Sequence, residues 1–100
     1  MGFRISINAD RIADFYRRWR IREFALFGSV LRPDFQPDSD IDVLITFEPD
    51  IPWSLYDWVD MIDELEAMFG RDVDLVESSG LRNPFRRKAI LNTKQVIYAA

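Results

Sequence analysis

The chain has 100 residues, 48% of them apolar and 14% aromatic, with a formal net charge of −4, enough for a single domain spanning residues 1–100 with a sizeable core and too little for a second, substrate-binding domain. It contains no Cys and no His, which excludes a disulfide framework, Cys-ligated zinc, a thiolate nucleophile and Ser-His-Asp or Cys-His machinery. Asp and Glu are left as the metal ligands and bases, and oxygen-only ligation suits hard cations, Mg²⁺ first and Mn²⁺ second.

Asn8 is placed to cap a helix in which Ile12, Phe15, Tyr16 and Trp19 recur at helical spacing. A short strand is expected from Glu23 to Phe27, ending at Gly28-Ser29. A turn from Val30 must close before Pro33, and Pro37, Asp38 and Ser39 mark a surface loop. Asp40 to Glu48 is the clearest strand: Ile41, Val43, Ile45 and Phe47 share one face, and Asp40, Asp42, Leu44 and Thr46 share the other. Ser54, with Asp57 three residues on, opens a helix whose buried stripe is expected to be Leu55, Trp58, Val59, Ile62, Leu65 and Phe69, and Gly70 stops it. Asp72 to Glu77 reads as another strand, with Val73 and Leu75 toward the core and Asp72, Asp74 and Val76 away from it. A short basic helix around Pro84 to Leu91 and a last strand from Gln95 to Tyr98 complete the pattern. The order predicts an α/β (α+β) fold: a small mixed sheet of three to four strands with helices packed on its apolar face and the acids of the other face in water.

The charges are distributed unevenly. Between Asp34 and Glu77 there are 14 acidic residues and one base, Arg71, whereas Arg82, Arg86, Arg87, Lys88 and Lys94 follow with no acid among them, and Arg17, Arg18, Arg20 and Arg22 close the first helix. Most of these are read as solvated faces. No apolar stretch approaches the roughly 20 residues that span a bilayer, and the N-terminus lacks signal-peptide organisation. The expected location is the cytoplasm, with no membrane partner.

Asp40 and Asp42 point to one side of their strand, where two carboxylates repel each other unless a divalent cation lies between them. Asp74 has the same surroundings as Asp42, an acid flanked by two core hydrophobes. If their strands are neighbours, Asp40, Asp42 and Asp74 converge as the outline of a two-metal site in which a nucleoside triphosphate supplies the remaining oxygens. One ion would activate the attacking oxygen and the other would hold the triphosphate, with Asp74 accepting the nucleophile's proton or binding the activating ion. Gly28 lets backbone approach a phosphate, Ser29 adds a hydroxyl and an N–H, and Arg32 is placed to reach the same phosphates.

Gly28-Ser29, ten residues, then Asp40-Ile41-Asp42 resembles the signature of the nucleotidyltransferase superfamily related to DNA polymerase beta. Leu26 to Ser29, Pro37 to Leu44, Asp72 to Val76 and the tail from Asn83-Pro84-Phe85-Arg86-Arg87 to Tyr98 are similar to the minimal nucleotidyltransferases over essentially the whole chain. That resemblance implies a nucleotidyltransferase that uses ATP and two Mg²⁺ ions, with Gly28 and Ser29 on the phosphates and Asp40, Asp42 and Asp74 as metal ligands. It further implies an antitoxin paired with a HEPN-domain RNase toxin, to a tyrosine of which AMP is transferred. Val30 and Pro33 depart from the family, in which a basic residue commonly follows Gly-Ser and a Gly comes a few residues later.

A calcium loop beginning at Asp38 is rejected, because Val43 stands where a Gly is needed and Pro49 where a bidentate Glu is needed. Direct nucleic-acid binding is not expected, since the acidic middle of the chain repels a phosphate backbone. The other reading retained is a non-catalytic antitoxin that neutralises its partner by occlusion. Trp53, Tyr56 and Phe85 would anchor such docking if exposed, although each is expected in the core.

Overall fold

The computed structural model describes residues 9–28 and 40–99. In chain order they form α1 (Ala9–Arg18), β1 (Ile21–Phe27), β2 (Ile41–Phe47), α2 (Leu55–Phe69), β3 (Val73–Glu77), a 3₁₀ turn (Ser78–Gly80), α3 (Pro84–Thr93) and β4 (Gln95–Ala99). The strands make one mixed sheet in the order β3-β2-β1-β4, with β1 antiparallel to β2 and β4, and β2 parallel to β3. The parallel pair is joined through α2, since parallel neighbours need a crossover connection. The expected α/β class and element order are those observed.

Alternation along the strands builds two cores of unequal size. On one face Ile21, Phe24 and Leu26 of β1, Ile41, Val43 and Ile45 of β2, and Val73 and Leu75 of β3 pack with Ile12, Phe15 and Tyr16 of α1 and Met61 and Leu65 of α2. Ile21 and Phe24 are three residues apart, which in a regular strand would place them on opposite faces. A register shift between Ile21 and Glu23 takes up the odd residue and returns Phe24 to the core. Aromatic edges fill this layer, with Phe15 meeting Phe24 at 6.1 Å and Trp19 meeting Trp53 at 5.1 Å between ring centroids.

The other face, where the sequence reading expects acids in water and no helix, is also covered. Ala25, Phe27 and Leu44 are buried there beneath Leu81 and Ile90, with Val76 and Leu91 alongside. Thus α3 covers this face while α1 and α2 cover the other. Only one turn of α3 reaches inward, which is why its sequence reads as a basic, weakly amphipathic helix.

The caps of α2 behave as read, and α3 has one that the sequence reading did not name. Asp57 N–H donates to Ser54 Oγ at 3.3 Å while Ser54 N–H donates to Asp57 Oδ2 at 2.8 Å, a closed capping box. Gly70 ends α2 in the left-handed region at φ 71°. Asn83 Oδ1 accepts from the N–H groups of Phe85 and Arg86, and Pro84 occupies the first turn of α3. The α2 stripe is rotated from expectation. Met61 and Leu65 are buried with Trp58, Ile62, Met68 and Phe69 beside them, whereas Leu55 and Val59 are exposed. Two overlapping apolar stripes run along this helix, and the sheet takes the one that includes Met61. The cap expected at Asn8 and the turn and loop expected from Val30 to Ser39 lie outside the described residues.

Candidate active site

Asp42 and Asp74 are register partners on the adjacent parallel strands β2 and β3, so their side chains leave the same face of the sheet side by side. The register is set one residue earlier, where Ile41 N–H donates to Asp72 O at 2.9 Å. Across β2, Asp42 is paired with Phe27, the last residue of β1. Asp74 is exposed, Asp42 is half-buried, and Asp40 is exposed immediately before β2 begins. The two in-register carboxylates occupy the acidic end of the face whose remainder is the small core under α3.

Gly28 closes the arrangement from the side of β1. Its φ is +72°, and a Cβ built there would overlap Oδ2 of Asp42 and lie 3.1 Å from Cγ. Glycine is therefore required twice, for the left-handed backbone and for the volume that the Asp42 carboxylate fills. The sequence pointed to Gly28 for phosphate approach. Its role against Asp42 is an added finding, visible only once β1 and β2 are known to pair.

Among the described residues no three acidic side chains are gathered into a closed ligand set. The donor chemistry nevertheless fits Mg²⁺, which takes one or two protein carboxylates and completes its shell with water and substrate phosphate oxygens. Ser29, Arg32, Val30 and Pro33 lie outside the described residues.

A cavity of about 420 Å³ lies at the far ends of β2 and β3, where Thr46, Phe47, Trp53, Trp58 and Glu77 line it. It is separate from the carboxylate pair. Of the three candidate anchors, Trp53 packs in the core as expected, its Nε1–H donating to Trp19 O at 2.9 Å. Tyr56 and Phe85 are instead 84% and 85% exposed, because each stands on the outer side of a helix whose inner side is already occupied.

A family model described as a nucleotidyltransferase domain matches residues 10–97. The chain belongs to that family. It is a nucleotidyltransferase, and it shares 37% identity over 81 residues with a protein adenylyltransferase, MntA, of Thermococcus cleftensis, covering 81% of this chain and 77% of that protein. Two solved structures share the fold. One is a toxin-antitoxin crystal structure with AMP-PNP, at TM-score 0.73 and 20% identity, covering 94% of this chain and 75% of that one. The other is a tri-AMPylated HEPN toxin of Shewanella oneidensis in complex with its MNT antitoxin, at TM-score 0.63 and 18% identity, covering 92% and 70%. For a nucleotidyltransferase, a carboxylate pair on adjacent strands beside a tight Gly turn is an arrangement suited to holding a cation and a polyphosphate together. Among the described residues no helix is long and apolar enough to cross a membrane.

Proposed function

We propose that this nucleotidyltransferase is a cytoplasmic antitoxin that transfers AMP from ATP to a tyrosine of a partner HEPN-domain toxin, with Asp40, Asp42 and Asp74 as ligands of Mg²⁺ or Mn²⁺. The observation that carries the reading is the in-register Asp42 and Asp74 pair with Gly28 pressed against Asp42. The naming of the Thermococcus relative as a protein adenylyltransferase and the AMPylated toxin in the Shewanella complex support the choice of donor and acceptor. When bound, a divalent cation supplies neutralisation of the triphosphate charge and lowers the pKa of the attacking hydroxyl.

The residues of the chain then have separate tasks. Gly28, Ser29 and Arg32 bind and orient the phosphates through backbone N–H, hydroxyl and guanidinium donors. The tyrosine Oη forms a bond to the α-phosphorus as the α–β bridging P–O bond breaks, and pyrophosphate leaves. Asp74, the more exposed of the pair, receives the tyrosine proton.

Incubation with labelled ATP, Mg²⁺ and the HEPN partner is expected to label the partner on tyrosine, and Asp42→Asn is expected to abolish the label. Labelling that persists in Asp42→Asn overturns the site. Exposed Leu55, Tyr56 and Phe85 favour a second reading, neutralisation by occlusion alone, which requires neither ATP nor metal. Rescue of toxin-expressing cells by Asp40→Asn and Asp42→Asn variants is the result expected of that reading and excluded by the first.

A further inference from the structure

Asp74 is useful beside Asp42 only if β3 starts at the right height. Among the described residues β3 is an edge strand, bonded to β2 on one side with no strand on the other. Successive residues of a strand direct their backbone groups to alternate sides. Asp72 faces β2, as its carbonyl accepts from Ile41 N–H. Val73 therefore faces the outer edge, where its N–H has no neighbouring strand among the described residues, yet Val73 is a buried residue in the large core. A buried donor without a partner costs about 1–3 kcal/mol.

The partner is supplied by α2. Val73 N–H donates to Glu66 Oε2 at 3.1 Å, while Gly70 N–H donates to the backbone carbonyl of the same Glu66 at 2.8 Å. One residue thus grips both sides of the tight turn formed by Gly70, Arg71 and Asp72: its main chain closes the helix and its side chain holds the first amide of the strand. Asp74 follows directly.

We infer that Glu66 is a positioning residue, whose carboxylate fixes the start of β3 and so holds Asp74 level with Asp42. The inference rests on the proposed metal and nucleotide site, and it assigns to that site a residue of α2 that touches neither substrate nor metal. It also accounts for a half-buried carboxylate on the sheet-facing side of a helix, where an apolar residue would otherwise pack.

The decisive comparison is Glu66→Ala against Glu66→Gln in the full chain. Alanine removes the acceptor but keeps the backbone carbonyl that receives Gly70, so α2 retains its cap. Glutamine removes the charge but keeps an acceptor oxygen. In Glu66→Ala the Val73 amide is expected to exchange with solvent about tenfold faster or more, with the Ile41 amide, whose acceptor is Asp72 O, following. Affinity for Mn²⁺ with ATP, read by the electron paramagnetic resonance of Mn²⁺, is expected to fall about tenfold. Glu66→Gln is expected to restore both, which separates a hydrogen bond from loss of a nearby negative charge. Faster exchange at Val73 with unchanged Mn²⁺ and ATP affinity overturns the inference, as does unchanged exchange or a Gln variant that behaves like Ala. If the wild-type chain takes up no Mn²⁺ with ATP, the proposed site itself fails, and exchange at Val73 and Ile41 alone then judges whether Glu66 sets the strand.

Discussion

The two faces of the sheet are made by the same strands, and they do opposite things. The face under α1 and α2 is aromatic and apolar, and its one strand carboxylate among the described residues, Glu77 opposite Ile45, stands at the very end of β3. The face under α3 begins as a small core around Leu44 and ends at the Asp42 and Asp74 pair. Each strand residue belongs to one face or the other by parity, so stability and chemistry are carried by alternate residues of one backbone. A side chain of β2 can therefore be removed from either job with little effect on the other.

The largest effect expected from that division is on stability. Phe24→Ala, which empties a fully buried ring position, is expected to cost about 3–5 kcal/mol in urea unfolding. Asp42→Asn and Asp74→Asn are expected to leave the urea midpoint nearly unchanged while lowering AMP transfer at least about 100-fold, about 2.7 kcal/mol in activation free energy. Equal losses of stability in the two sets would erase the distinction between the faces.

Gly28→Ala sharpens the boundary between them. The left-handed backbone alone costs about 1–2 kcal/mol for a residue with a Cβ, and the added methyl must displace the Asp42 carboxylate. The expected result is a modest drop in melting temperature with a loss of transfer larger than the stability change explains.

The smallest effect belongs to Tyr16, whose hydroxyl donates to Arg22 O at 2.7 Å. Burial first, and then the charge of Glu48, push its phenol above the ordinary value of 10. The folded-state pKa is the higher one, so the contribution to stability is complete below the unfolded pKa and is lost as pH rises through the folded value. Unfolding followed above pH 10 is expected to show a small alkaline decline that Tyr16→Phe removes, with activity near neutrality unaffected.

Much of this was legible in the residues. Alternation around Asp42 and Asp74, the Ser54 and Asp57 box, and the Gly70 stop each follow from short-range rules, and each stands where expected. What short-range rules do not carry is which strands are neighbours, so the pairing of Asp42 with Asp74 could be stated only as a condition. The same gap hid Gly28 against Asp42 and the second core around Leu44, since the cover of Leu44 comes from Leu81 and Ile90, far along the chain. On α2 the choice between the Leu55 and Met61 stripes depended on the shape of the sheet beneath. Ser29 and Arg32 carry the part of the site that rests on sequence.

The register shift between Ile21 and Glu23 has an effect beyond keeping Phe24 inside. It puts Ile21, close to the end of α1, out of step by one residue with the stretch from Glu23 that leads to Phe27 and Gly28. A length change at the α1 junction can be absorbed at this slip before it propagates to the far end of the strand. The stretch tuned against the carboxylates is thus Glu23 to Gly28, and a change of chain length before it leaves Gly28 in place against Asp42.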